Sequence, residues 1–220
     1  GNAENRMVNC GLFYRNDFLL MGTEEGLLLY NYKSDKYVHF EVNFTADVKA
    51  IVHSANDLWI GCTDGLYRYN FAKKKLTKMS ISPVNEAKQQ MVYALLEDHG
   101  FIYVGTFGRF GRFSLNDYHY QQIENSPGEW RMVNSLLKDE SRNCIWLGGG
   151  NSLTKYIPSS NSFETITGFP VVKSMGLDCD NDLVLGTDNG LYLYKGNETK
   201  HFAHNAQKLN SLANNIVWSV

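Results

Sequence analysis

The segment GTFGRFGRFS, residues 105 to 114, is a place where residue types and spacing suggest chemistry, because clustered glycines beside cations can cradle a phosphate. A Walker-type loop ends in Gly-Lys-Ser/Thr, so that a lysine and a hydroxyl reach the phosphates and their magnesium, and a dinucleotide fingerprint lies between a strand and a long helix. Neither context surrounds these residues. Asp64 and Asp188 fall at one repeated turn position, which makes them turn formers more simply than a general acid–base pair. His201 and His204 are close together, whereas His39, His53, His99 and His119 are scattered, and Cys10, Cys62, Cys144 and Cys179 show no C-x-x-C spacing. No metal centre, redox pair or cofactor is expected, and no catalytic residue is assigned. The triplets NFT at 43 to 45 and NET at 197 to 199 read as ordinary turns.

Holding a hydroxyl-rich ligand is a different chemistry, done by planar side chains that hydrogen-bond hydroxyls and by aromatic rings that cover apolar ring faces. Phe107, Arg109, Trp130, Arg131 and Asn151 supply such groups and are the candidate ligand-binding residues. A guanidinium at Arg109 presents fixed donors to hydroxyls or a carboxylate. The bland alternatives are that Arg109 pairs with an acidic turn residue and that Trp130 fills a gap between loops.

The elements that must position these residues come from internal repetition. Gly22, Gly61, Gly105, Gly148 and Gly186 each follow an apolar run (FLLM, DLWI, FIYV, CIWL, DLVL), and each is followed without gaps by Leu or Phe five residues on and Tyr or Phe eight residues on. Upstream of each lies Val-x-small-x, in VNCG, VKAI, VYAL, VNSL and VKSM, and once more in VWSV at 217 to 220. Downstream, a polar turn precedes a last short strand ending near Phe40, Met79, Ile123, Ile166 or Phe202. Each period therefore holds four short strands, A to D, and the expectation is an all-β chain of four-stranded antiparallel propeller blades. The blades span approximately 8–40, 48–79, 92–123, 133–166 and 172–202, and a sixth begins at 216–220. That last strand is expected to be disordered, to dock on a neighbouring blade, or to pair with another molecule, the whole protein continuing past it.

In this scheme GTFGRFGRFS is a copy of the B-to-C junction, its glycines serving a turn, with Arg109 and Ser152 replacing the glycine found at Gly26, Gly65 and Gly190. The small third residue of strand A is expected to answer crowding where innermost strands converge, and Trp59, Tyr103 and Trp146 to pack between adjacent blades. Antiparallel alternation brings the B-to-C and D-to-A loops to one end of each blade. That end carries Glu24, Glu25, Asp64, Phe107, Arg109, Asn151, Asp188 and Asn189, and the long connections SISPVNEAKQQM, ENSPGEWRM and AHNAQKLNSLANN.

The formal charge of -2, from 21 Lys+Arg against 23 Asp+Glu, has no basic block, so neither nucleic acid nor an anionic membrane is an expected partner of this region. With 43% hydrophobic residues and no run of 18 apolar ones, the chain reads as a globular, water-soluble one. The opening GNAENRMVNC has neither an initiator Met nor a signal-peptide layout, so the natural start is expected elsewhere.

The core pattern, clearest in LWIGCTDGLYRYN with SLANNIVWSV as a repeat opening, resembles the regulator-propeller repeats in the sensor regions of bacterial, Bacteroides-type hybrid two-component system proteins. Cys62 and Gly149 depart from it where the family prefers Thr. The resemblance covers essentially the whole chain and implies a periplasmic sensor module, anchored in the inner membrane through downstream segments, that binds a small-molecule ligand of the carbohydrate class. It implies no catalysis in this region, with histidine kinase and transcription regulation further along the polypeptide. A propeller lyase or glycosidase acting on polysaccharide, or a protein-interaction scaffold, are the alternatives, and homodimerisation is open.

Overall fold

The computed structural model describes residues 6–38, 40–81, 90–124, 132–196 and 198–220. It is all-β, with no α-helix among the described residues. Five four-stranded antiparallel sheets follow one another along the chain, each with its strands in sequence order. The first comprises β1 (Val8–Tyr14), β2 (Phe18–Thr23), β3 (Gly26–Asn31) and β4 (Lys36–Val38). The second comprises β5 (Val48–Ser54), β6 (Asp57–Cys62), β7 (Gly65–Asn70) and β8 (Lys75–Met79), and the third β9 (Val92–Asp98), β10 (Phe101–Thr106), β11 (Phe110–Ser114) and β12 (Tyr120–Gln122). The fourth is β13 (Val133–Asp139), β14 (Cys144–Gly149), β15 (Ser152–Ile157) and β16 (Ser162–Thr167), and the fifth β17 (Val172–Leu177), β18 (Leu183–Thr187), β19 (Gly190–Tyr194) and β20 (Thr199–Phe202). These are the blades of a β-propeller fold. Two compact units divide them, Gly1–Phe107 with Gly111–Gln121, and Gly108–Phe110 with Gln122–Val220.

Burial explains the apolar runs. Every residue of β6 and of β14 is buried, because packing on both faces leaves no polar side, whereas β4 and β20 are exposed throughout. The Val-x-small-x signature is a β-bulge in strand A, repeated in all five blades, with the register slipping between Val and the small residue. Beyond the bulge, Cys10, Ala50, Ala94, Ser135 and Ser174 each lie directly opposite the glycine of strand B.

Those glycines are needed for space. A Cβ on Gly22 would fall 2.5 Å from Val48 Cγ1 and 2.5 Å from Cys10 Sγ, one on Gly61 2.6 Å from Val92 Cγ1, and one on Gly148 2.6 Å from Val172 Cγ1. Within each unit, the crowding expected of converging strands is thus the seating of a blade's first valine on its predecessor's glycine. Val48, Val92 and Val172 are fully buried there. The turn itself is served by a second set, Gly26, Gly65 and Gly190, at φ of 109°, 145° and 101°. Where these are replaced by Arg109 and Ser152, the left-handed position moves one residue upstream, to Gly108 at φ 75° and Asn151 at φ 39°.

The aromatic packing holds as expected within each unit. Trp59 is completely buried with its ring 5.4 Å from Phe113, one blade on, and Trp146 meets Tyr194 of the following blade at 6.4 Å. Polar latches accompany the rings. Tyr118 Oη donates to Asp57 Oδ2 at 2.8 Å while the Arg68 guanidinium lies 3.6 Å from the Tyr118 ring centroid, and Arg142 Nη1 donates both to Asp139 Oδ2 and to Asn181 O at 2.7 Å. Residues 217–220 form no strand, but they repeat the valine joint: Val217 N donates to Thr187 O at 2.8 Å, Val217 Cγ1 lies 3.0 Å from where a Gly186 Cβ would be, and Lys173 Nζ is 4.2 Å from the Trp218 ring centroid.

Candidate functional site

Turn chemistry fixes the B-to-C end of the blades. In the first blade Thr23 Oγ1 donates to Gly26 O at 3.0 Å and accepts from Glu25 N at 3.2 Å, and in the fifth Thr187 repeats the bonds to Gly190 O at 2.8 Å and Asn189 N at 3.0 Å. The turn then presents Glu25 outward.

On the first blade this turn faces the D-to-A connection. Phe40, at the strand-D position that Met79 holds in the second blade, lies in the core, 8% exposed, with its ring 6.1 Å from Tyr14 and 5.8 Å from Tyr69. The following residues return over the turn, so that a Cβ on Gly26 would fall 1.7 Å from Phe44 O.

Between the two lies a groove of about 590 Å³, lined by Arg6 and Glu25 on one side, Leu27, Leu28, Tyr37 and Val38 along the sheet, and Phe40 and Val42 to Thr45 on the other. Its walls are braced. The Phe44 ring stands edge-on to Tyr67 at 5.0 Å, and Tyr67 Oη donates to Asp64 Oδ2 at 2.6 Å. Burial first, and then that bond to a carboxylate, push the Tyr67 hydroxyl well above the usual phenol range, so it stays protonated and keeps donating. Tyr37 lies against Tyr30 at 5.2 Å between centroids and remains half exposed toward the groove. Among the described residues, Arg6 Nε and Glu25 Oε2, at 3.1 Å, are the only charged pair in the lining.

The residues singled out in the sequence are placed as follows. Phe107 is 38% exposed in the first unit, Arg109 is half-buried and already engaged in an interaction in the second, and Asn151 is exposed, spending its backbone on the left-handed turn position. Trp130 and Arg131 lie outside the described residues. None of the three described ones, Phe107, Arg109 and Asn151, lines the groove. Glu25 was visible as a B-to-C turn residue. Arg6, Tyr37, Asn43 and Phe44 were not, and the NFT triplet that holds two of them carried no signal beyond a turn.

Other chemistry-bearing groups have structural employment. Asp64 serves Tyr67 and lies 3.7 Å from Lys78 Nζ. His201 stacks on Tyr192 at 4.2 Å with Nε2 bonded to Asn189 O, and His204 Nδ1 bonds Leu212 O. Asp178, Asp180 and Asp182 converge, with Asp178 Oδ1 accepting two backbone N–H bonds at 2.9 Å and Asp182 paired to Lys195. Burial pushes the Cys10 thiol up to about 12, and Cys62 and Cys144 are raised by the same cause, which leaves these thiols inert near neutral pH.

No protein-family model and no curated protein matches the sequence. Solved structures do. The extracellular domain of the hybrid two-component system protein BT4673 from B. thetaiotaomicron is 33% identical over all of this chain, with a TM-score of 0.90. A second structure of that domain, described as belonging to a one-component system, is also 33% identical, with a TM-score of 0.89. The extracellular domain of BT3049 from the same organism, 21% identical with a TM-score of 0.75 over 96% of the chain, shares the fold. This chain spans about 30% of the length of these relatives. With the repeat signature, the valine joint and this full-length likeness together, the chain belongs to the propeller sensor modules of Bacteroides-type hybrid two-component systems, whose place is the periplasm.

Proposed function

We propose that this chain is a non-catalytic part of a ligand-sensing region, reading an oligosaccharide in the periplasm on behalf of a kinase and transcription regulator carried elsewhere in the protein. The observation that carries the sensor reading is the 33% identity across the whole chain to an extracellular sensor domain. The carbohydrate class is supported by the B-to-C end of the first blade, where aromatic rings, an amide and a paired charge meet, and the non-catalytic reading by the tie-up of Asp64, His201 and His204 in turns and packing. On the third and fourth blades, Phe107, Arg109, Trp130, Arg131 and Asn151 are proposed as ligand contacts.

Ligand binding to the native state raises apparent stability, by about 2.7 kcal/mol at a ligand concentration a hundredfold above Kd. A thermal-shift screen of the 220-residue chain against neutral and acidic oligosaccharides tests the reading. A dose-dependent rise in Tm with one glycan class is expected. Hydrolysis or elimination of a glycan by the chain would replace the sensor with an enzyme, and a flat response across the panel would remove the saccharide.

A further inference from the structure

We infer that the groove on the first blade is a binding seat for an uncharged saccharide segment. The inference rests on the saccharide reading above and adds the place and the charge class. Four observations carry it. The cavity of about 590 Å³ is of the size that small-ligand sites use and is bounded by side chains of both characters. Its aromatic walls are fixed before any ligand arrives, Phe44 by Tyr67 and Tyr37 by Tyr30, which reduces the ordering cost of binding. Gly26 admits the Phe44 carbonyl at a distance no side chain would permit, so the wall opposite the sheet exists because of a glycine.

The fourth observation is charge. Arg6 and Glu25 neutralise each other across 3.1 Å, and among the described residues no other charged side chain lines the groove. A carboxylate-bearing sugar would have to displace Glu25 from Arg6 and leave that acid beside a like charge. A neutral sugar instead finds the outer lone pairs of Glu25, the remaining N–H groups of Arg6, the Asn43 amide and the Thr45 hydroxyl for its hydroxyls, while Tyr37 and Phe44 cover its C–H faces. Electroneutral polarity at one edge and apolar rings at the other select an amphipathic, uncharged ring.

Isothermal titration of the intact 220-residue chain with maltotetraose, cellotetraose, mannotetraose, xylotetraose and, as the acidic arm, tetragalacturonate is the test. Y37A and N43A probe the groove, both at surface positions, and F13A is the control, an aromatic residue 80% exposed and outside the groove. The expected result is heat from at least one neutral tetrasaccharide, weakened about tenfold or more by Y37A and by N43A and unchanged by F13A. Amide chemical shifts should move for Glu25 to Leu28 and Val42 to Thr45. A neutral saccharide bound equally by wild type and both groove variants, or binding by the galacturonate alone, overturns this inference and leaves the saccharide reading standing. Silence across all five probes overturns both.

Discussion

Replacing Asp139 by Asn should cost this chain stability at neutral pH and leave it less sensitive to acid. Asp139 ends β13 with no exposed side-chain surface and yet is ionised. Burial alone would raise its pKa. Hydrogen bonds from Trp146 Nε1 at 3.0 Å, Ser141 Oγ at 2.7 Å, and Arg142 Nη1 and N at 2.7 and 3.0 Å overcome that and hold the carboxyl down to about 2, against an ordinary 3.8. A depressed native pKa stabilises above the unfolded value, and the benefit is lost as pH falls through the native one. The depression is worth roughly 2 kcal/mol at pH 7, present above about pH 4 and gone near pH 2.

Asn keeps the shape, but its amide nitrogen faces donors where an oxygen is needed, so D139N should unfold with a free energy lower by about 2–3 kcal/mol at pH 7. Urea unfolding, followed by far-UV circular dichroism and tryptophan fluorescence at pH 7, 5, 4, 3 and 2.5, measures the difference. Other carboxylates titrate alike in both proteins and cancel. The gap should be constant down to about pH 5 and shrink below pH 4. A gap that stays the same from pH 7 to pH 2.5 would refute the ionised, fourfold-bonded Asp139.

Three further comparisons test the glycine and turn logic. Gly26→Ala, at φ 109° with its Cβ 1.7 Å from Phe44 O, should destabilise by more than about 2 kcal/mol, whereas Gly100→Ala, at φ 79° with nothing within 4 Å, should cost only the backbone strain of about 1 kcal/mol; urea midpoints of the two variants separate space from conformation. Gly22→Ala drives a methyl into Val48 and Cys10 and should lower Tm by several degrees, with Val48→Ala in the same chain restoring part of the loss if the valine joint is the cause. Cys62→Thr should add the turn bonds made by Thr23 and Thr187 and raise stability by about 1 kcal/mol, read from the same midpoints.

What was readable in the sequence was what repeats. The strand A bulge and the small residue opposite a glycine recur in all five blades, and a Trp or Tyr two positions before that glycine in three, because neighbouring blades within a unit solve one packing problem, and a repeated solution leaves a repeated spacing. The blade architecture could therefore be read without coordinates, although the glycines' two duties, space at Gly22 and turn geometry at Gly26, could be separated only by φ and contact distance. The groove follows from what does not repeat. Arg6 meets Glu25 from a segment nineteen positions away, and the Phe44 carbonyl closes on Gly26 from the D-to-A connection, so no local pattern marks either contact. The same contrast explains Trp59. Its indole N–H is buried without a partner, as is the hydroxyl of Ser54, which ends strand A where the fourth blade has Asp139 bonded to Trp146. Register predicts that two such rings occupy equivalent places. It carries no information on whether their polar atoms are satisfied, because that depends on a single residue at the end of strand A, and single departures from a repeat are where this fold stores its individual chemistry.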